Sequence, residues 1–171
     1  MTWTAPRVER GPAPTLGDER TLLRGWLDHH RATLLSKCAG LDADQLRSRP
    51  VPPSRLSLLG LVRHLAECER GWFRIAAAGV RLDYVYCSEA DPDADFDNVD
   101  AAEPEADLTR YREEIAAADR AMEGLALDHI FVFADRSYTV RWVYLHMIEE
   151  YARHNGHADL LRERIDGVTG R

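Results

Sequence analysis

The stretch TVRWVYLHMIEEYARHNGHADLLRERI, residues 139–165, carries the longest regular apolar pattern in the chain. Its apolar side chains recur at spacings of three, four or seven residues, which places them on one face of a helix. They are Val140, Val143, Met147, Tyr151, Ala158 and Leu161. Gly167 follows the stretch, and a glycine at such a place commonly ends a helix. The pattern therefore predicts a long amphipathic helix.

Three segments upstream show the same helical periodicity. The predicted helices cover about residues 18–40, 54–79 and 104–123, and either Ser54 or Ser57 can cap the second of them. Four helices joined by long connections favour an all-α fold, a four-helix bundle with a crossover connection. Residues 1–17 contain three prolines without periodicity and are predicted to form an N-terminal arm, followed by one bundle domain over residues 18–171.

Two connections between the predicted helices differ from ordinary turns. The connection from Tyr84 to Asp107 contains DPDADFDNVD, residues 91–100, and is predicted to be a long acidic loop between the second and third helices. Loops of this length in a compact domain often cover a site. The run Ile130–Phe133 is rich in strand-forming side chains, but no partner strand is visible in the sequence. We expect an extended linker there instead of a sheet.

Charge and cysteine content limit the classes of protein to which the chain can belong. The formal net charge is -7, and the absence of a basic stripe argues against a nucleic-acid partner. No run of about 18 apolar residues occurs, so no membrane span is predicted. The three cysteines, an odd number without C-x-x-C spacing, argue against a disulfide framework. The N-terminal stretch has no apolar core of a secretory signal, so we expect a cytoplasmic protein.

Three ionisable residues lie on the predicted apolar faces. In the second helix, His64 follows Leu61 by three residues. In the long last helix, Glu150 and His154 follow Met147 by three and seven residues. A buried carboxylate is costly unless it is paired or bound to a metal, and a helical turn separates Glu150 from His154. His64, Glu150 and His154 therefore suit a three-ligand site for a divalent metal such as zinc or nickel, with one coordination position open.

A second interpretation of the same residues needs no metal. Glu150 can form an ion pair with an arginine such as Arg63 or Arg153, and an inward histidine is often a hydrogen-bonded core residue. Three neighbours of the predicted site allow further roles. His146 could replace His64 as the third ligand or line a pocket, and Cys68 could ligate, although most buried cysteines act as small apolar side chains. Glu67 is predicted to accept the ring N–H of His64.

Two stretches of the sequence carry a resemblance to a known family. LSLLGLVRHLAECERGWF, residues 56–73, and RWVYLHMIEEYARHNGHADLLRERIDG, residues 141–167, resemble the DinB-like superfamily. The similarity is greatest to its actinobacterial, mycothiol-dependent branch, which contains the maleylpyruvate isomerase and mycothiol S-transferase-like proteins. The resemblance implies a four-helix bundle and three metal ligands. The usual H-x-x-x-H of the last helix reads Glu150-x-x-x-His154 here, as in the His/Glu/His variant of the mycothiol-dependent isomerase.

The metal site and the resemblance together leave three functions open. The first is a metal-dependent transferase or isomerase that uses a small thiol, with mycothiol as cosubstrate, and acts on small electrophiles. The second is a metal-binding stress protein without catalysis, and the third is a metal-dependent hydrolase. The chain offers no evident nucleophile of its own, because Cys68 is expected to be buried and inert. The end of the first helix, together with Trp72 and Phe73, offers apolar surface that favours a homodimer.

Overall fold

The computed structural model describes residues 2–170 and is mainly helical, as the sequence predicts. The helices are α1 (Glu19–Cys38), α2 (Ala43–Arg47), α3 (Leu58–Cys68), α4 (Ala94–Asp97), α5 (Pro104–Met122) and α6 (Val140–Asp166). The strands are β1 (Ile130–Phe133) and β2 (Arg136–Thr139). Helix α3 continues without a break into a π-helical segment, Glu69–Ala77. Such wider turns often occur near functional sites, and this one directly follows α3, the helix that carries the predicted metal ligand His64.

Side-chain caps and glycines fix the ends of the helices. Asp18 accepts a hydrogen bond from the backbone N–H of Thr21 and begins α1. Of the two serines that could cap α3, Ser57 does so, because its hydroxyl accepts from the N–H of Gly60. Gly167 has a φ of 78° and ends α6 in the left-handed conformation that glycine adopts at little cost. These local signals explain why the predicted boundaries lie within a few residues of those observed.

The four longer helical elements share one core. Helix α6 packs along α1, and α3 with its π-helical segment packs against α5 and α6. All six side chains of the predicted inward stripe of α6 are buried. The centre of the core contains polar side chains as well: the guanidinium of Arg31 forms two hydrogen bonds to the carboxylate of Glu69, at 2.6 and 2.7 Å. Tyr151 donates to the same carboxylate and accepts from Tyr111, so the buried Glu69 carboxylate accepts three hydrogen bonds in all.

The segment Ile130–Phe133 corrects the expectation of an extended linker. It forms strand β1, which pairs antiparallel with β2 in a two-stranded hairpin. Ala134 and Asp135 make the turn, both with positive φ, at 48° and 61°. Ala-Asp differs from the Asn-Gly pair that is typical of such turns, so the hairpin cannot be predicted from its turn residues. The hairpin packs on α3's continuation through aromatic side chains, with the rings of Phe133 and Tyr138 5.9 and 5.6 Å from that of Trp72.

The acidic connection and the N-terminal segment both touch the core. Within residues 84–107, the side chains of Asp95 and Val99 are buried, so this connection is only partly solvated. It winds into the short helix α4, which contacts α3. Near the N-terminus, Ala5 is buried and exchanges backbone hydrogen bonds with the chain that follows α1: its N–H donates to Leu41, and its carbonyl accepts from Gly40. The acidic connection is thus held against α3, and the N-terminal segment against the chain that follows α1.

Phe73 does not belong to an exposed apolar face. It is 1% exposed, and its ring packs against that of Tyr144 at a centroid distance of 5.3 Å. The sequence-based argument for a homodimer counted Phe73 as available surface and is wrong on that point; the dimer itself stays a prediction. Among residues 2–170, none of the helices has both the length and the apolar character needed to cross a bilayer.

Candidate metal centre

The three predicted ligands come together where α3 and α6 pack side by side. One ligand atom from each of His64, Glu150 and His154 can be chosen so that all three lie within 4.8 Å of one another. The Oε2 atom of Glu150 lies 3.4 Å from Nε2 of His154. Metal–ligand bonds of about 2.1 Å at tetrahedral angles hold two ligand atoms about 3.4 Å apart. The Glu150–His154 pair thus already has the spacing of two ligands on one ion, and His64 faces it from the neighbouring helix.

The acidic connection orients the ring of His64. Nδ1 of His64 lies 2.9 Å from Oδ2 of Asp95, a residue of α4 that is 4% exposed. Because a carboxylate accepts, a ring hydrogen is on Nδ1, and Nε2 points away from Asp95 with the Cys68 sulfur 3.5 Å from it. The ring of Phe96 stacks on that of His64 at 4.7 Å and restricts its rotation. This is the carboxylate–histidine arrangement that commonly supports metal ligands.

His154 is held in its neutral form. It is 9% exposed, and burial lowers its pKa from 6.5 to about 4, with the nearby His64 adding to the shift. Its Nδ1 lies 3.3 Å from Nδ1 of His157, while its Nε2 faces Glu150. Since a histidine must be unprotonated to bind a metal, the low pKa leaves His154 ready to do so at neutral pH.

The two carboxylate oxygens of Glu150 have different neighbours. Oε2 faces His154, and Oε1 accepts a hydrogen bond from Arg153 at 3.1 Å. The pair with Arg153 is one of the two interpretations that the sequence left open. It does not exclude the other, because Arg153 is half exposed and engages only one of the two oxygens. The side chain of Glu150 itself is 14% exposed, so the carboxylate lies in a partly buried position beside both histidines.

Glu67, Cys68 and His146, the three predicted neighbours, take different positions. The Glu67 carboxylate accepts from the backbone N–H groups of Tyr86 and Cys87, so the acceptor for the His64 ring is Asp95 and the prediction for Glu67 is wrong in this respect. Cys68 places its sulfur 3.5 Å from Nε2 of His64. His146 stacks on Trp142 with ring centroids 4.7 Å apart and is not part of the ligand cluster.

A cavity of about 510 Å³ opens beside His64. Its walls come from α3, from the π-helical segment, from the acidic connection and from the tip of the hairpin. Aromatic rings supply much of the surface: Trp72, Tyr84, Phe96 and Phe133. Glu67 and Cys68 also line it. A concave, largely apolar space with a few polar groups next to convergent ligand atoms is the usual form of a small-molecule site.

A comparison with known families finds a match over most of the chain. The family model described as Mycothiol-S-transferase matches residues 22–167, which is most of the chain. The chain belongs to the mycothiol-S-transferase family. The resemblance to the mycothiol-dependent DinB-like branch is thereby confirmed, and membership of this family associates the chain with a small thiol and with transfer chemistry. No curated protein and no solved structure matches the chain.

The sequence of this mycothiol-S-transferase family member did not identify Asp95 as the hydrogen-bond partner of His64. It lies in DPDADFDNVD, where five acids without periodicity look alike. The local signals are Phe96 and Val99, two apolar side chains in a mostly polar run, which indicate an anchored segment. Which of the acids then reaches His64 depends on how the connection winds into α4, and that is decided by tertiary packing.

Replacing Asp95 with asparagine is expected to weaken metal binding by about 10- to 100-fold, because an amide is a poorer acceptor for the His64 ring N–H and fixes its orientation less well. Competition with a chromophoric chelator measures this affinity. The matched control is Asp91→Asn, an exposed acid on the same connection, which should bind the metal as the unchanged protein does. Equal affinities for the two variants would show that Asp95 does not support the ligand.

Proposed function

We propose that the chain is a mycothiol S-transferase that holds one divalent ion with His64, Glu150 and His154 and joins the thiol to a small electrophile. The observation that carries the proposal is the convergence of the three ligand atoms beside a cavity of about 510 Å³ in a member of this family. We further propose that the four longer helical elements form a four-helix bundle of the DinB type. The proposal thus unites the family, the donor set and the cavity.

The donor set fits a divalent ion of the zinc or nickel type. Two neutral imidazoles and one carboxylate suit both metals, and three protein ligands are the number that catalytic zinc sites provide. Both histidines engage Nδ1 elsewhere, His64 with Asp95 and His154 with His157, so Nε2 is the atom that each would offer to the ion. On His64 the ion would displace the weak contact between Nε2 and the Cys68 thiol. When bound, such an ion supplies Lewis-acid stabilisation of a thiolate, which makes a small thiol nucleophilic at neutral pH.

The chain's own cysteines are unsuited to act as the nucleophile. Burial raises the pKa of the Cys68 thiol, and the Glu150 carboxylate raises it further. Burial also raises the pKa of Cys87, the other cysteine in the cavity wall, to about 11. Both therefore remain protonated at neutral pH, and a protonated thiol is a poor nucleophile. The nucleophile is therefore expected to arrive as a second molecule, either a thiol cosubstrate or water, and membership of the family favours the thiol.

The roles of the other residues follow from their positions. Asp95 holds the His64 ring, and burial keeps His154 unprotonated. The aromatic walls of the cavity exclude water and hold an apolar electrophile beside His64. In the proposed transfer to an aryl or alkyl halide, a carbon–sulfur bond forms, the halide leaves with the bonding electron pair, and the thiol proton passes to solvent. The protein orients the two reactants and provides the setting for the ion.

The zinc-loaded protein is expected to consume chlorodinitrobenzene or monobromobimane only when mycothiol is present. Glu150→Ala should reduce this rate by at least about 100-fold, because it removes a ligand that no neighbouring side chain replaces. The reaction is followed by absorbance or fluorescence after subtraction of the uncatalysed rate. The matched control is Glu163→Ala, an exposed acid further along the same helix, which should retain activity.

Three other outcomes of this experiment would count against the proposal. Consumption that is equally fast without a thiol would point to the hydrolase. Metal binding without any turnover would point to a non-catalytic metal-binding stress protein. Turnover that survives removal of the metal by a chelator would show that the His64, Glu150 and His154 cluster is not the reactive centre.

A further inference from the structure

The wall of the cavity beside His64 is rich in negatively charged side chains. Four carboxylate side chains contribute to it: Glu67, Glu89, Asp93 and Asp95. No lysine or arginine is among the residues that line this cavity. Carboxylates on one side of a small concave space focus a negative potential into it, because the protein walls screen charge poorly.

The buried acids elsewhere in the protein have arginine partners. Arg31 pairs with Glu69 at 2.6 Å, and Arg70 and Arg74 pair with Glu114 at 2.7 and 2.5 Å. Each of these carboxylates is nearly inaccessible to solvent, and each lies within one ion-pair distance of a guanidinium. Buried charge in the core of this fold is therefore compensated, as the cost of burial requires.

The two buried acids of the cavity wall lack such a partner. Glu67 and Asp95 are 6% and 4% exposed, yet no arginine or lysine within residues 2–170 forms an ion pair with either. Asp95 contacts the ring of His64, and one oxygen of Glu67 accepts two backbone N–H groups. The other oxygen of Glu67, Oε2, has no hydrogen-bond partner among the described residues. Neither carboxylate of this wall therefore has a guanidinium or ammonium group as counter-charge among the described residues.

The aromatic surface of the cavity acts in the same direction. Trp72, Tyr84, Phe96 and Phe133 present rings to the space. Such rings suit flat apolar groups, and their faces attract cations and not anions. A divalent ion held by His64, Glu150 and His154 does not reverse the sign, because the carboxylates of Glu150 and Asp95 match its two charges. Arg153, which contacts Glu150, has its own counter-charge in Glu149. The remaining acids and an incoming thiolate then oppose a second anion.

We propose that this cavity selects neutral or cationic aromatic electrophiles and rejects electrophiles that carry a carboxylate. This preference rests on the proposed transferase function and specifies the class of electrophile that the transferase accepts. Repulsion between an anionic substrate and partly screened acids at several ångströms amounts to about tenfold or more in affinity. Glu89 and Asp93 are exposed residues of the wall and set part of this preference without belonging to the metal centre.

A pair of substrates of nearly equal shape tests the charge preference. 4-Chloro-3,5-dinitrobenzamide and 4-chloro-3,5-dinitrobenzoate differ at one substituent, and the uncatalysed rate with mycothiol corrects for their different reactivities. The corrected kcat/KM is expected to be about tenfold higher for the amide. Glu89→Gln with Asp93→Asn should reduce this ratio severalfold. Glu123→Gln, which removes an exposed acid outside the cavity, should leave the ratio unchanged.

Binding of unreactive analogues separates this inference from the transferase function. The affinities of 3,5-dinitrobenzamide and 3,5-dinitrobenzoate are measured by calorimetry on the full chain, with zinc and with added chelator. Tighter binding of the amide under both conditions supports the inference even if no transfer occurs. Tighter or equal binding of the benzoate under either condition overturns it, whether or not the protein transfers thiols. Absence of transfer with both chloro compounds counts against the proposed function alone.

Discussion

The His154→Ala variant is expected to lose its divalent metal almost completely, whereas the unchanged protein binds about one ion per chain. His154 supplies one of three ligand atoms, and its Nε2 lies 3.4 Å from the Glu150 carboxylate. Loss of a supporting residue behind a metal ligand already costs about 10- to 100-fold in affinity, and loss of a ligand itself costs more. Elemental analysis after dialysis against a weak chelator measures the metal content, and circular dichroism checks that the helices persist.

His146→Ala is the matched control for this experiment. Both residues lie on α6 two turns apart, and the sequence alone allowed His146 as a ligand in place of His64. The ring of His146 stacks on that of Trp142 and meets that of Trp72 edge to face, each at 4.7 Å, so its removal should leave the metal content near one per chain. His64→Ala should behave as His154→Ala does. Full metal occupancy in a variant that lacks both His64 and His154 would contradict the assignment of the site.

The Arg31→Met variant is expected to be less stable by about 3–5 kcal/mol, because it leaves the Glu69 carboxylate buried without its counter-charge. Glu69 is fully inaccessible and receives two hydrogen bonds from Arg31. For a chain of this size the loss corresponds to a melting temperature lower by about 10 °C. Urea denaturation followed by circular dichroism gives the free energy of unfolding. Methionine keeps much of the side-chain volume, so the effect reports charge more than packing.

Two further variants interpret this measurement. Arg141→Met removes an arginine from the exposed pair with Glu19 and should hardly move the urea midpoint, because water screens that pair. The double variant Arg31→Met/Glu69→Leu removes both charges and should recover much of the lost stability, since apolar side chains can replace a buried ion pair. If the single and double variants are equally unstable, packing and not the unpaired carboxylate accounts for the loss.

The fold class and most helix boundaries could be predicted because their causes are local. The spacing of Val140, Val143 and Met147 shows the 3.6-residue period of α6. Ser57 caps the start of α3 and Gly167 ends α6, each through contacts within one helical turn. The hairpin could not be predicted in the same way. Its strand β1 becomes stable by packing on Trp72, which is far away in the sequence. The turn residues Ala134 and Asp135 do not predict this hairpin either.

The sequence by itself placed His64, Glu150 and His154 on inward faces, because the direction of a side chain on a helix follows from its spacing to apolar neighbours. It also carried the family resemblance. Only the tertiary structure decided that α3 and α6 bring the three ligand atoms within 4.8 Å and that Asp95, not Glu67, holds the His64 ring. The same packing leaves Glu67 and Asp95 beside a cavity without an arginine. Such facts depend on distances between segments remote along the chain, which local periodicity does not encode.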